Sequence, residues 1–90
     1  MARVYLPVPL RKLAEGQESI PIAGDSVRAV LDDLAAQYPA LKTSLFDARG
    51  QLTRFVGIFV NGEDYRVQGG EGCALTENDR IELLLPIAGG

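Results

Sequence analysis

The residues with the plainest chemical potential are the last two, Gly89-Gly90, which follow the apolar run Ile81-Glu82-Leu83-Leu84-Leu85 and the short link Pro86-Ile87-Ala88. A strand stopped by proline and continued by small residues offers one reactive group, the terminal α-carboxylate, on a lead almost free of side chains. Glycine, lacking Cβ, lets a backbone enter a passage that rejects other residues. With a pKa near ~3.5 an α-carboxylate is an anion at neutral pH and a poor electrophile. Acyl chemistry at Gly90 therefore requires a partner that attaches a better leaving group. The plain alternative is a frayed terminus that happens to end in glycine.

The rest of the chain offers no chemistry of its own. It has 90 residues and no histidine, which removes imidazole acid–base catalysis, nucleophile triads and histidine metal sites. Cys73 is the sole cysteine, so it forms no internal disulfide and no metal cage. It lies among Gly69, Gly70, Gly72 and Ala74 with Glu71 nearby, a setting that does not activate a thiol, and reads as an incidental small residue. Asp32-Asp33 are adjacent in a helical pattern and point apart, which suits a solvated face rather than paired carboxylates. The loop Gly69-Gly70-Glu71-Gly72 lacks the strand-then-helix setting of a phosphate-binding loop. The net charge of −3 and the singly scattered arginines argue against nucleic acid. No apolar run is long enough for a membrane span and no signal peptide is read, so a reduced, cytoplasmic protein is expected, with no metal and no permanently bound cofactor.

A single small domain must carry the tail, since 90 residues with 47% hydrophobic content suffice for one modest core. Val4-Tyr5-Leu6 begins a strand that Pro7 and Pro9 end, and a polar stretch through Glu15-Gly16-Gln17 turns the chain. Ser19-Ile20-Pro21-Ile22 reads as a short edge strand. Asp25 or Ser26 caps a helix whose Val27, Val30, Leu31, Leu34 and Tyr38 form one apolar stripe, stopped by Pro39. Leu41, Leu45 and Phe46 form a second helical turn. Residues 55–60 form the clearest strand, followed by the tight-turn pair Asn61-Gly62. Tyr65-Arg66-Val67 is expected as a short strand, and 81–85 as the last, with a central place in the sheet. These elements give an α+β fold, a mixed sheet with one main helix packed on one face.

Four blocks in order resemble the MoaD/ThiS sulfur-carrier family of ubiquitin-like proteins: Asp25-Ser26 opening the helix, residues 55–64 ending Asn61-Gly62-Glu63-Asp64, Asn78-Asp79-Arg80-Ile81, and Leu85-Pro86-Ile87-Ala88-Gly89-Gly90. The resemblance covers essentially the whole chain. The length and the stretch from Leu45 to Arg66 are most similar to the MoaD-like carriers, including the one that supplies cysteine synthesis; the small subunit of molybdopterin synthase is almost as similar. Ile87 stands where family members often carry valine. The resemblance implies a β-grasp domain over 1–86, with the last strand parallel to the first, and a flexible tail over 87–90. It also implies that Gly90 is adenylated by an E1-like enzyme using ATP and converted to a thiocarboxylate. The sulfur comes from a sulfurtransferase or persulfide donor and passes to an accepting enzyme, a cysteine synthase or the large subunit of molybdopterin synthase. On this reading the chain is not an enzyme and has no catalytic residue. Gly90 is the attachment point, with Gly89, Ala88, Ile87 and Pro86 as its lead.

Ordering such a tail in a channel costs about 1–2 kcal/mol per residue, so contacts with the folded body must offset several kcal/mol. Strand alternation places Val4, Leu6, Val56, Ile58, Val60, Ile81, Leu83 and Leu85 toward the helix. Tyr5, Phe59 and Leu84 then lie on the open face with Arg3 and Glu82, an expected docking patch. Two other classes of function share these features: a modifier that forms isopeptide bonds with lysines, and a noncovalent β-grasp binding subunit.

Overall fold

A computed structural model describes residues 1–85; residues 86–90, which include the expected attachment point and its lead, lie outside the described part. Five strands form one mixed sheet: β1 (Ala2–Tyr5), β2 (Ser19–Ile22), β3 (Gly57–Val60), β4 (Glu63–Asp64) and β5 (Arg80–Leu84). Their spatial order is β2-β1-β5-β3-β4, with β1 and β5 parallel and every other pair antiparallel. This is the expected β-grasp arrangement, and β5 does hold the centre. Pro21 lies on the β2 edge, where a missing N–H does least damage.

The main helix, here α2 (Val27–Gln37), covers one face of the sheet. Ser26 is its cap: the Ser26 Oγ accepts a hydrogen bond from the Ala29 N–H at 3.1 Å. Val27, Val30, Leu31 and Leu34 are fully buried against Val4, Ile22, Ile58, Ile81 and Leu83, and Tyr38 packs partly against the same core. The strand parity is as expected, with Leu6, Val56 and Val60 also inside and Leu85 half-buried at the core's rim. A 3₁₀ turn over Pro39–Leu41 and helix α3 (Lys42–Leu45) bring Leu41, Leu45 and Phe46 over one end of the core. Gly24 is obligatory: its φ is +154°, and a Cβ there would stand 2.8 Å from Val30 Cγ2 and 3.0 Å from the Val30 nitrogen.

Three segments depart from expectation. The stretch after β1 is not a simple polar turn but helix α1 (Val8–Arg11) followed by a 3₁₀ turn over Lys12–Ala14, which bury Leu10 and Ala14. Pro7 is extended and Pro9 sits in the first turn of α1, where an N–H has no intrahelical partner anyway, so the prolines that stop the strand also suit the helix start. Residues 65–67 are not a strand. Pairing ends at Glu63–Asp64, and Tyr65–Gln68 coil into a 3₁₀ helix capped by the Asp64 Oδ1, which accepts from the Arg66 N–H at 2.8 Å. The Gln68 amide then donates to the carbonyls of Val60 (3.1 Å) and Glu63 (2.9 Å), folding the segment back over the hairpin. Finally, β3 starts at Gly57 rather than Phe55, whose ring is exposed, and β5 spans Arg80–Leu84 instead of 81–85. The turn itself is as read: Asn61 and Gly62 have φ of 52° and 86°, the left-handed pair of a tight hairpin.

Candidate functional site

Register brings the expected docking residues into two rows on the open face of the sheet. Glu82 of β5 pairs with Tyr5 on one side and Phe59 on the other, and Phe59 pairs in turn with Asp64. One step toward the end of β5, Leu84 pairs with Gly57. Tyr5 and Phe59 are half-buried and Leu84 is exposed. Gly57 explains how Phe59 lies: a Cβ on Gly57 would come within 3.2 Å of Phe59 Cε1 and 3.8 Å of Leu84 Cβ. The absence of that Cβ lets the Phe59 ring lie along the sheet toward Leu84, so the two side chains flank one bare glycine.

Arg80 belongs to this surface although the last strand was expected to begin only at residue 81. Its guanidinium sits 3.9 Å from the centroid of the Tyr5 ring, and its Nε lies 3.4 Å from Glu82 Oε1. The cation stacked on the aromatic face therefore also holds the carboxylate between Tyr5 and Phe59. The signal was present in the sequence: Arg80 has the same parity as Glu82 and Leu84 once the strand begins one residue earlier. Arg3, the other expected rim charge, instead donates from Nε to Ser19 Oγ at 2.8 Å, bracing β1 against β2.

The lower end of β5 is fixed by Asp79 and Asn61. Asn61 Nδ2 donates to Asp79 Oδ1 at 3.0 Å, the Thr76 N–H donates to Asp79 Oδ2 at 2.7 Å, and the Arg80 N–H donates to Asn61 Oδ1 at 2.9 Å. The Asn61 hydrogen bond first, then the Thr76 N–H, hold the Asp79 carboxyl below its ordinary pKa. These bonds explain why Asn61 and Asp79 occur where they do: one turn side chain clamps the hairpin to the start of β5 and so sets the register that carries Leu84 and Leu85 toward the tail.

On the opposite side of the domain, α2, α3 and the loop at 47–50 border a cleft of about 890 Å³. Arg28 dominates it. Its guanidinium donates to Asp32 Oδ1 (3.1 Å), Glu71 Oε1 (2.8 Å) and the Gly50 carbonyl (2.8 Å), and lies 4.7 Å from the centroid of the Phe46 ring. The Glu71 hydrogen bond is the main cause of its raised pKa. Asp32 thus pairs along its own helix, while Asp33 accepts from Gln37. Cys73 is buried, and its carbonyl accepts from the Val27 N–H at 3.0 Å, a role for its backbone at the start of α2. Among the described residues no group of His, Cys, Asp and Glu is arranged to hold a metal ion, and no helix is long and apolar enough to cross a membrane.

The family model of the ThiS family matches residues 4–90, which takes in the sheet, the clamp and the terminal glycines. The chain belongs to the ThiS family. Among its relatives, the sulfur carrier protein CysO of Mycobacterium tuberculosis is 40% identical over 89 residues, 97% of this chain and 96% of that protein. The crystal structure of that CysO superposes with a TM-score of 0.87. A chain of the Amycolatopsis orientalis BexX/CysO complex superposes with a TM-score of 0.89 at 30% identity, covering 100% of both chains. The small archaeal modifier protein 1 of Methanosarcina acetivorans gives 0.86 at 34% identity, covering 99% of this chain and 95% of that one. The β-grasp fold is common to all of them.

Proposed function

We propose that this ThiS-family chain is a sulfur carrier, a covalent cosubstrate with no catalytic residue, whose Gly90 carboxylate is the working group. An E1-like enzyme joins that carboxylate to AMP from ATP with release of pyrophosphate. A persulfide sulfur attacks the acyl carbon and expels AMP, and a thiol splits the resulting acyl disulfide to leave the thiocarboxylate. The sulfur then passes to an accepting enzyme, with cysteine synthesis as the leading pathway and molybdopterin synthesis next. The observation that carries the reading is a family match that runs through Gly89-Gly90, together with 40% identity to a named sulfur carrier. The likeness to a CysO crystallised with BexX supports a life spent docking to other proteins.

The likeness to a small archaeal modifier favours a second reading, in which the same activated carboxyl is captured by lysine amines. Intact-mass analysis of the chain from sulfur-replete cells separates the two. The carrier gives a species in which one oxygen of the terminal peptide is replaced by sulfur, and it is trapped by alkylation. The modifier gives adducts on other proteins. A chain lengthened by one residue moves the reacting carbon by up to ~3.6 Å and is expected to lose activation while keeping its melting temperature. Full activation of the lengthened chain without a protease would refute Gly90 as the reacting group.

A further inference from the structure

The cleft bordered by α2, α3 and the loop at 47–50 has no part in the open face of the sheet, yet it is a built feature. Its apolar lining is mostly small: Ala35 and Ala36 of α2, Ala48, and Phe46. Short side chains at 35 and 36 leave about 890 Å³ open where longer ones would fill it. The loop that walls it is pinned in advance. The Asp47 Oδ1 accepts from the Arg49 N–H at 2.8 Å and the Gln51 N–H at 3.1 Å, Phe46 bridges to Leu52, and Arg28 donates to the Gly50 carbonyl at 2.8 Å. The charges of the cleft divide into two groups. Arg28 is held by Asp32 and Glu71, and Asp47 by the N–H groups of its own loop. Lys42 and Arg49 remain. Both are exposed, and neither makes an ion pair or a side-chain hydrogen bond among the described residues. A chain of net charge −3 thus presents two unanswered cations beside one apolar hollow.

We infer that this cleft is a second interface, which takes an acidic segment of a partner protein: an apolar side chain lies against Ala35, Ala36 and Phe46, and flanking Asp or Glu side chains pair with Lys42 and Arg49. The inference goes beyond the carrier reading and does not depend on it. Shape selects the occupant. A pocket for a small ligand buries about 70–90% of that ligand's surface. Here the rim at Lys42, Asp47, Ala48 and Arg49 is exposed, so the cleft covers one side of what lies in it, as a groove does for a protein segment. Charge selects the chemistry, since unpaired cations at a rim steer and orient an acidic chain and disfavour a basic one. The pinned loop loses little freedom when it is covered, which removes one cost of binding. Location gives the use. The buried face of α2 lies between the cleft and the sheet, so a protein seated here leaves Tyr5, Phe59 and Leu84 uncovered. One partner then holds the chain while another works at the open face.

The test selects a displayed library of random peptides on the full chain, then titrates a synthetic peptide of the enriched sequence into isotope-labelled chain by NMR. The enriched peptides are expected to carry Asp or Glu on either side of Leu, Ile or Phe. The titration is expected to move the amides of residues 35, 36 and 42–50 and to leave those of Tyr5, Phe59 and Leu84 in place. Lys42→Glu/Arg49→Glu is expected to weaken the peptide roughly tenfold or more with Tm at the parent value, and the difference shrinks in 1 M salt, where the Debye length is only ~3 Å. Ala36→Phe, at an exposed helix position, changes no charge but fills the hollow, and it is expected to weaken the peptide as well. Lys12→Glu/Arg54→Glu makes the same change in net charge elsewhere on the surface and is expected to bind as the parent does. Failure to enrich acidic sequences, shifts centred on the open sheet face, or an equal loss in the Lys12/Arg54 variant would each overturn the inference. Inorganic phosphate that moves the same amides at the same concentrations as the peptide would reduce the cleft to a simple anion site and overturn it too.

Discussion

Replacing Phe59 tests the face assignment and the docking rows in one series, and the register decides which replacement is informative. Phe59 lies directly opposite Glu82 on β5 and Asp64 on β4. Phe59→Asp would set a third carboxylate between two others, whereas Phe59→Arg would set a cation there. Truncating a fully buried phenylalanine costs about 3–5 kcal/mol. Phe59 has one side open and rests its ring over Gly57, so either replacement forfeits about half of that, roughly 2 kcal/mol. A like charge directly across from Glu82 adds about 0.2–1 kcal/mol for the aspartate, and Asp64 acts with the same sign. For a domain of this size each kcal/mol moves Tm by about 4–8 °C. Phe59→Asp is therefore expected to melt several degrees below Phe59→Arg in low salt, with the gap closing in 1 M salt. Both remain folded, while Val56→Asp, which buries a charge in the core, does not. In ATP–pyrophosphate exchange at limiting carrier, both Phe59 variants are expected to be poor substrates. Equal melting of the two in low salt would refute the register argument. Parent-like exchange by both would remove Phe59 from docking.

Two further outcomes follow from the bonding described. Arg28→Ala removes two exposed ion pairs, a bond to the Gly50 carbonyl and a cation–π contact with Phe46, which together are worth about 1–2 kcal/mol. The variant should melt roughly 5–10 °C lower and lose hydrogen-exchange protection first at residues 47–53, while carrier-dependent exchange with the enzyme is unchanged; unaltered protection would show that Arg28 does not tether the loop. Asp79 has a folded pKa below its unfolded value of about 3.9, so its contribution is full above that value and is lost as pH falls through the lower folded pKa. The Tm gap between parent and Asp79→Asn should thus be constant above about pH 5 and narrow below pH 4; a gap that widens on acidification would contradict the sign.

Much of the fold is legible in the sequence where one pattern has one reading. The i, i+3, i+4 stripe from Val27 to Leu34 fits only a helix with one buried face, Asn61-Gly62 fits a tight hairpin, and strand parity separates Val56, Ile58 and Val60 from Phe59. The failures occur where a local signal serves two structures. Pro7 and Pro9 end a strand and equally begin a helix, which hid α1. Tyr65-Arg66-Val67 has strand-like residues, yet the Asp64 cap and the reach of Gln68 to Val60 and Glu63 are tertiary facts that composition does not carry. Arg80 escaped the expected patch because a single residue of strand boundary decides whether its guanidinium reaches Tyr5. The expectation for Gly89-Gly90 is of another kind: it rests on the chemistry of a carboxylate rather than on packing, and it falls outside the described residues.

The central place of β5 has a consequence for how the molecule comes into being. A ribosome makes the two flanking ribbons, β2-β1 and β3-β4, before it makes the strand that lies between them. Until residue 80 emerges, neither ribbon has its inner neighbour, and α2 has only half a floor to sit on. Contacts between β1 and β5 span nearly the whole chain, so the loop-closure cost is met late and in one step. A nascent or truncated chain is then an open pair of hairpins with bare inner edges, the kind of surface that chaperones and proteases recognise. On the carrier reading proposed above, the strand that leads to Gly90 has either closed the sheet or failed to before an activating enzyme meets the chain. An enzyme that requires the rows Tyr5–Glu82–Phe59 and Leu84–Gly57 to be assembled would load sulfur only onto chains that have finished folding.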